Sequence, residues 1–199
     1  FICESDGFGT IHPDIEVSAI DYKNETFTVE NKKYHNFINS IYAIYNCACT
    51  LTVMKTLKLD FNAANEVFQS FVMKEGRNEV YQLKKPSVIN LVKNPTGANE
   101  VMKYIIARPG DKNICIFLND NDQDGTDISW LWDVDFDRFQ ADNINSIIVS
   151  GIRCQDMRLR LKYVDISSSV EPDVEKAIRD RIEHGCKNLY VLVNYTGLY

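Results

Sequence analysis

The chain has 199 residues, of which 45% are hydrophobic and 25% are charged, as in an ordinary soluble globular protein with one large domain or two small ones. Its net charge is −6 and it carries no basic stripe, which excludes a binder of the nucleic-acid backbone. No apolar run approaches the roughly 18 residues that span a bilayer, which excludes an integral membrane protein.

The cysteines have no framework spacing, and we predict reduced thiols in a cytoplasmic protein. They are Cys3, Cys47, Cys49, Cys115, Cys154 and Cys186. Cys115 falls within an apolar run, which predicts a buried thiol. The chain starts at Phe1, without an initiator Met or a signal pattern, so we expect it to be a piece of a longer protein.

The first part of the chain is predicted to contain short strands followed by two helices. Apolar and polar residues alternate over 15–38, which predicts two or three antiparallel strands. A helical period follows over 40–59, and Asp60 is placed to cap a second helix over 62–72. The inward residues of this second helix are predicted to be Ala63, Val67, Phe68 and Phe71.

A polar, glycine-containing stretch at 74–78 predicts a boundary between domains 1–73 and 74–199. Beyond it, strand patterns at 88–92, 114–118, 146–149, 164–166 and 189–193 alternate with helix patterns at 98–107, 154–163 and 170–184. This alternation indicates right-handed crossovers and a mainly parallel sheet, which is an α/β fold. Ligands of such sheets lie at the carboxyl ends of the strands, so chemistry is expected in 93–99, 119–132, 150–153 and 194–197.

The segment 119–127 places acidic residues directly after the most apolar predicted strand. Turn chemistry alone accounts for its Asn, Asp and Gly residues. Asp120, Asp122 and Asp124 match the opening of an EF-hand loop, but the twelfth position is Leu131 instead of Glu and a strand precedes the run. Calcium is therefore not expected.

Three other features have both a functional and a structural interpretation. Trp130 and Trp132 follow the acidic run, and packing in the core and a partner-facing surface both remain open. The basic residues of 153–162 follow a helical pattern, which favours a solvated helix face over an anion site. Lys93 precedes a helix that Thr96 can cap, where free backbone N–H groups favour an anion.

Nucleotide chemistry cannot be completed by this chain alone, because it contains no GxxxxGK[ST] loop. The histidines His12, His35 and His184 are far apart in sequence, and none neighbours a Cys or Ser nucleophile. A hydrolytic triad within the chain is therefore not supported. The residues by themselves predict an α/β domain with an acidic loop at its functional edge.

Several segments together resemble the C-terminal half of the MurT-type Mur ligases, and the likeness covers nearly the whole chain. They are Lys93-Asn94-Pro95-Thr96-Gly97 within 92–99, the acidic and Trp-containing run 118–136, Ser150-Gly151-Ile152-Arg153 with 157–162, and Asn194-Tyr195-Thr196. Upstream, Tyr45-Asn46-Cys47-Ala48 is similar to a helix start of the Mur ligases, and Gly76-Arg77 is similar to the opening of the C-terminal domain.

The resemblance implies a Rossmann-like C-terminal domain with a mainly parallel sheet, preceded by the last strands and two helices of the Mur ligase central domain. It also implies an ATP-dependent carbon–nitrogen ligase of peptidoglycan synthesis. The α-carboxylate of the stem-peptide D-glutamate in lipid II becomes an acyl phosphate, and ammonia from a GatD-type class I glutamine amidotransferase converts it to D-isoglutamine at the inner face of the membrane. The partner has a Cys and a His of its own and borrows an Asp.

On this sequence the borrowed residue is Asp124. The resemblance places Lys93, Asn94, Asn46 and Arg77 near nucleotide or substrate, and each also has an interpretation as a surface or turn residue. ATP with Mg²⁺ is expected to be bound mainly by a part of the family that this chain lacks. The chain alone is therefore expected to be inactive as a ligase.

The chain departs from the family pattern at its start. The family carries a zinc ribbon of two CxxC pairs, whereas residues 1–8 retain Cys3 and have Asp6 in place of the last Cys. Two candidate ligands cannot close a tetrahedral site, so a zinc-binding intact protein and a degenerate ribbon both remain open. Two alternative functions also remain open: a fragment of a conventional Mur-type amino-acid ligase, and a non-catalytic docking domain for an amidotransferase.

Overall fold

The computed structural model describes residues 13–22, 24–37, 40–72, 76–184 and 188–198. Its elements divide into two units, Phe1–Val72 and Met73–Tyr199. Whether the first unit is the end of a Mur ligase central domain stays a prediction. None of the helices in the described ranges combines the length and the apolar character that a bilayer crossing requires.

The first unit pairs a small antiparallel sheet with two helices, as the sequence predicts. Its elements are β1 (Val17–Asp21), β2 (Thr26–Val29), β3 (Lys32–His35), α1 (Ile41–Thr56) and α2 (Asn62–Ser70). β2 is the middle strand, and its Phe27 lies opposite Tyr34 of β3. Both rings are fully buried and contact α1 and α2 residues such as Leu51 and Phe68 in one apolar cluster. The helix α1 begins at Ser40, whose Oγ accepts a hydrogen bond from the backbone N–H of Ala43.

The inward face of α2 differs from the prediction. Ala64 and Phe68 are the buried residues, one helical turn apart, whereas Ala63 is exposed and Val67 is 56% exposed. Phe68 is buried as predicted, but the prediction was wrong for Ala63 and Val67. It was also wrong for Phe71, because the helix ends at Ser70 and Phe71 has extended backbone outside it. Phe71 is half exposed and packs edge-on against Phe37.

The second unit is a sheet with helices on both faces. Its elements are β4 (Arg77–Gln82), β5 (Pro86–Leu91), α3 (Pro95–Ala107), β6 (Lys112–Phe117), β7 (Ile144–Ser150), α4 (Cys154–Lys162), β8 (Ser169–Val170), α5 (Val174–His184) and β9 (Asn188–Val193). Short 3₁₀ helices span Ser129–Asp133, Phe136–Gln140 and Tyr195–Gly197. The sheet order is β4-β5-β9-β6-β7-β8, and only the pair β4 and β5 is antiparallel. The predicted α/β class with a mainly parallel sheet is confirmed.

The core of the second unit lies on both faces of this sheet. Every residue of β6 is buried. Ile114 and Ile116 pack on the side of α3 and α4, whereas Cys115 and Phe117 pack on the side of α5. A parallel strand covered on both faces reads as a continuous apolar run, which is why this strand could be identified from the sequence.

Two strands differ from the prediction. β4 was not predicted, because it is an edge strand whose residues are exposed or half-buried and show no apolar alternation. β8 lies at Ser169–Val170 and not at 164–166. The segment 164–166 instead closes α4, since Ile166 donates to the carbonyl of Leu161 at 3.0 Å and Asp165 has a φ of 56°.

Candidate functional site at the carboxyl edge of the sheet

The carboxyl ends of three adjacent strands form the candidate site. β9, β6 and β7 are neighbours and parallel, so Asn194, Asn119 and the segment 150–152 follow them at the same edge. The acidic run lies in the long connection after β6, and the short 3₁₀ helix Tyr195–Gly197 follows β9. The sequence predicts chemistry at these segments, and the structure brings them together.

Asn119 joins the three strand ends through hydrogen bonds. Its backbone N–H donates to Oδ1 of Asn194 at 3.1 Å, and its carbonyl accepts from Nδ2 of Asn194 at 2.6 Å. Its own Oδ1 accepts from the backbone N–H of Ile152 at 3.0 Å, and its Nδ2 donates to Oγ1 of Thr196 at 3.0 Å. The backbone partners leave one orientation for each of these two amides. These hydrogen bonds connect the carboxyl ends of β6, β7 and β9 in one network, which we call the Asn119 network.

Thr196 connects Asp124 to the Asn119 network. The backbone N–H of Thr196 donates to Oδ1 of Asp124 at 2.8 Å, and Oγ1 of Thr196 donates to Oδ2 at 2.5 Å. Asn121 supports the same hydroxyl with a 3.0 Å hydrogen bond from its Nδ2. The loop turns back at Asp124, whose backbone N–H donates to the carbonyl of Asn121 at 2.8 Å. Asp124 is partly buried, and each of its carboxylate oxygens accepts a hydrogen bond from Thr196.

The other acidic residues of the loop have different surroundings. Asp127 accepts from the backbone N–H of Ser129 at 2.8 Å, and hydrogen bonds from the backbone and side chain of Ser129 lower the pKa of this carboxyl. Asp120 lies 3.6 Å from Nε of Arg153, which also lies 3.1 Å from Asp156. Arg153 is thus already engaged by two carboxylates, which weakens its reading as part of an anion site.

The two tryptophans differ in burial, and the interpretation of a partner-facing surface stays a prediction. Trp130 is partly buried and packs against the main apolar cluster. Trp132 is 51% exposed and meets the ring of Tyr163 edge-on at 5.2 Å. Beneath it, Arg160 is 8% exposed and donates from Nε to the carbonyl of Leu131 and from Nη2 to that of Val134. Arg160 is therefore buried and forms a clamp on two backbone carbonyls. The prediction that it lies on a solvated helix face was wrong.

The residues proposed for nucleotide or substrate lie in three places. Lys93 and Asn94 stand together between β5 and α3, and both are exposed. Arg77 opens β4 opposite Asn90 of β5 and is exposed. Asn46 lies in the first unit on the exposed side of α1. Their roles stay predictions.

The cap of α3 differs from the one predicted. Asn94, not Thr96, occupies the N-cap position, and its Oδ1 accepts from the backbone N–H of Gly97 at 2.8 Å. Pro95 follows as the first helical residue, where its missing N–H has no cost. Because Pro95 starts the helix there, Thr96 already lies inside it. The side-chain oxygen of Asn94 is therefore already engaged by the start of the helix.

Acidic, Cys and His side chains are the candidates for metal ligands in this chain. Cys3 and Asp6 lie outside the described residues, and their zinc role stays a prediction. In the part of the chain that the structure describes, no three His, Cys, Asp or Glu side chains come together as a metal site. In the second unit the sequence contains one histidine, His184, which ends α5 and pairs with Asp180 at 3.2 Å.

The contacts of Thr196 and Asn119 at the candidate site could not be predicted from the sequence. Thr196 lies 72 positions from the carboxylate that it binds, so no local spacing connects them. The available signal was that each residue follows a strand of the same parallel sheet, where ligand-binding groups gather.

Comparisons with known proteins identify the family. The model of the family described as MurT ligase C-terminal matches residues 91–198. The chain is 32% identical over 197 residues to the lipid II isoglutaminyl synthase (glutamine-hydrolyzing) subunit MurT of Staphylococcus aureus strain COL, covering 96% of this chain and 45% of that protein. It is 27% identical to the subunit of the same name from Streptococcus pneumoniae, covering 100% of this chain and 46% of that one. The chain thus spans less than half the length of these relatives.

Solved structures show the same fold. A pseudomurein peptide ligase type C from Methanothermus fervidus matches with a TM-score of 0.73 and 17% identity, covering 98% of this chain and 42% of that one. MurF from Acinetobacter baumannii matches with a TM-score of 0.71 and 11% identity, covering 91% and 42%. At these identities the likeness is one of fold alone. The family match and the MurT relatives together show that this chain belongs to the MurT ligase C-terminal family.

Proposed function

We propose that this chain supplies Asp124 to the Cys-His pair of a GatD-type class I glutamine amidotransferase. The two proteins would form a glutamine-dependent, ATP-driven ligase that converts the α-carboxylate of D-glutamate in lipid II to D-isoglutamine at the inner, cytoplasmic face of the membrane. The observation that supports this best is the geometry of Asp124, a partly buried carboxylate whose two oxygens both accept hydrogen bonds from Thr196 at the carboxyl edge of the sheet. The names of the MurT relatives support this proposal, since they describe a glutamine-hydrolysing enzyme that acts on lipid II.

The role proposed for Asp124 follows from the chemistry of a Cys-His-Asp unit. The carboxylate accepts the N–H of the partner's imidazole, which fixes the tautomer of the ring. The other ring nitrogen then takes the proton of the catalytic thiol, and the carboxylate stabilises the imidazolium that forms. Thr196 occupies one lone pair on each oxygen of Asp124, and a carboxylate offers about four, so acceptor capacity remains for an imidazole.

We assign the histidine of such a unit to the amidotransferase. The second unit contains only His184, which ends α5. α5 precedes β9, so His184 lies at the amino edge of the sheet, opposite to Asp124. An ordered carboxylate separated in this way from the histidine of its own unit suits a shared catalytic site better than an internal one.

The residues of this chain do not make up an ATP site by themselves. The sequence contains no GxxxxGK[ST] loop, and the side-chain oxygen of Asn94 is engaged by the start of α3. We assign ATP with Mg²⁺ mainly to the part of the MurT relatives that this chain does not span. Lys93, Asn94, Asn46 and Arg77 are proposed to add contacts to nucleotide or substrate, and the chain alone is proposed to be inactive as a ligase.

The test is the glutaminase activity of the cognate amidotransferase with and without this chain. We compare the wild type with Asp124→Asn and with the matched control Asp122→Asn, an exposed residue of the same loop. The wild type and Asp122→Asn are expected to bind and activate equally. Asp124→Asn is expected to bind with unchanged affinity and to lower kcat by roughly two to four orders of magnitude, because an amide cannot orient and stabilise the imidazole as a carboxylate does.

Two results would reject the proposal. If Asp124→Asn activates as well as the wild type, Asp124 is a turn residue and the shared catalytic site is wrong. If the wild-type chain does not bind the amidotransferase at all, the partnership itself is wrong. The exposed pair of Trp132 and Tyr163 also suits a docking domain without a catalytic role. In that case the wild type, Asp124→Asn and Asp122→Asn should all bind fully and activate equally.

A further inference from the structure

We propose that Thr196 is the positioning residue that holds Asp124 in its catalytic orientation. This inference rests on the proposed function of Asp124 and adds to it a second residue from a distant part of the chain. The two residues are 72 positions apart and meet only because β9 and β6 are neighbours in the sheet. Thr196 binds neither glutamine nor the partner's thiol in this proposal, and it acts through the carboxylate.

The contact of Thr196 with Asp124 restrains the carboxylate in two ways. One donor, the backbone N–H, binds Oδ1 at 2.8 Å, and the second donor, the hydroxyl, binds Oδ2 at 2.5 Å. Two donors on two oxygens fix both the position of the carboxylate and its rotation about the last side-chain bond. A catalytic carboxylate needs this restraint, because the imidazole N–H must meet an oxygen in a narrow range of directions.

The direction of the Thr196 hydroxyl is itself determined by its surroundings. Asn119 presents Nδ2 to Oγ1, since its Oδ1 is taken by the backbone N–H of Ile152. Asn121 presents a second amide donor to the same oxygen. A hydroxyl that accepts from two donors keeps one hydrogen to give, and here that hydrogen points to Asp124. The series of hydrogen bonds that starts at Ile152 and passes through Asn119 and Thr196 therefore ends at the carboxylate of Asp124.

Hydrogen bonds attach Thr196 to the ends of two strands. Thr196 lies in the 3₁₀ helix Tyr195–Gly197, closed by the hydrogen bond from Gly197 to the carbonyl of Asn194 at 3.1 Å. Asn194 is 4% exposed and is bound to both backbone groups of Asn119. Thr196 is thus attached to the end of β6 and to the end of β9 at the same time. Through Thr196, the loop that carries Asp124 is connected to both strands.

The experiment measures steady-state glutamine hydrolysis by the complex of this chain with its amidotransferase. Thr196→Val keeps the shape and the backbone N–H but removes the hydroxyl, and Thr196→Ser keeps the hydroxyl. Thr126→Val is the matched control, because Thr126 is an exposed threonine of the same loop. We expect Thr196→Val to lower kcat roughly tenfold, with the KM for glutamine and the affinity of the two proteins unchanged, since one charge-assisted hydrogen bond is lost. Thr196→Ser is expected to restore kcat, and Thr126→Val to leave it unchanged.

A double-mutant cycle separates positioning from a general effect on folding. In the Asp124→Asn background Thr196→Val is expected to cause no further loss, because the group that it positions is gone. An equal loss in both backgrounds, a kcat for Thr196→Val within twofold of wild type, or a Thr196→Ser variant as defective as Thr196→Val would each overturn the inference. Asp124→Asn distinguishes the two levels of the proposal: if it is fully active, the catalytic role of Asp124 fails, whereas if it is inactive while Thr196→Val is normal, only the positioning role fails.

Discussion

The backbone of Gly151 lies directly against the side chain of Asn119. A Cβ at Gly151 would stand 2.7 Å from Oδ1 of Asn119 and 2.7 Å from the carbonyl oxygen of Leu118, closer than such atoms approach in proteins. Gly151 also has a φ of 88°, which side chains rarely adopt. The Asn119 oxygen that would be displaced accepts the hydrogen bond from the backbone N–H of Ile152. The Asn119 network that supports Asp124 therefore depends on the absence of a side chain at Gly151.

Gly151→Ala is therefore expected to destabilise the second unit. Gly125→Ala is the control, because Gly125 has a similar φ of 81° and nothing lies within 4 Å of an added Cβ. We expect the control to cost about 1 kcal/mol from backbone strain and Gly151→Ala to cost about 1–3 kcal/mol more from the clash. Urea unfolding followed by tryptophan fluorescence measures this, since both tryptophans of the chain lie in the second unit. Equal losses for the two variants would contradict the steric account.

Replacing the buried Arg160 is expected to release the 3₁₀ helix that carries Trp132. Arg160→Met keeps the apolar stem but leaves the carbonyls of Leu131 and Val134 without their donors. We expect a loss of about 2–4 kcal/mol in the free energy of unfolding, together with changed Trp132 fluorescence. The control Arg158→Met alters an exposed neighbour on α4 and should change stability by less than about 0.5 kcal/mol. A small effect of Arg160→Met would show that the clamp is dispensable.

The cysteines are expected to differ in their reaction with iodoacetamide. Burial raises the pKa of the Cys115 thiol to about 12, and it raises that of Cys47 to about 12 as well. Only the thiolate reacts, so at pH 8 both should stay unmodified in the folded chain and react after unfolding in urea. Cys49, exposed on the same helix as Cys47, should react in the folded chain. Peptide mass mapping assigns each site, and fast labelling of Cys115 under native conditions would show that the strand is not buried.

The buried strands could be predicted from the sequence because burial on both faces leaves a compositional record. The apolar run that contains most of β6 spans 114–118, that of β9 spans 189–193, and polar residues precede and follow each of these runs. β4 left no such record, since an edge strand satisfies half of its backbone with solvent and places few constraints on its side chains. Edge elements are therefore where sequence patterns lose their meaning.

The candidate site could be predicted only in part for a related reason. Its location followed from the rule that ligands gather at the carboxyl ends of parallel strands, and the loop of Asp124 lies there. The contact of Asp124 with Thr196 could not be predicted, because it depends on which strand is the neighbour of which. The burial of Arg160 was not predicted, because helical spacing shows which residues share a face of the helix but not which other part of the chain packs against that face.

The place of β9 in the sheet also determines the order in which the second unit can assemble during translation. β9 follows all the other strands of the described sheet in chain order, yet it lies between β5 and β6. These two strands therefore have no common neighbour until residues 188–193 have left the ribosome, and the unit must fold through distant pairings. Thr196 follows later still, so the acidic loop exists long before the residue that orders its carboxylate. A nascent chain thus exposes the loop early, and Asp124 becomes fixed only when the sheet is finished.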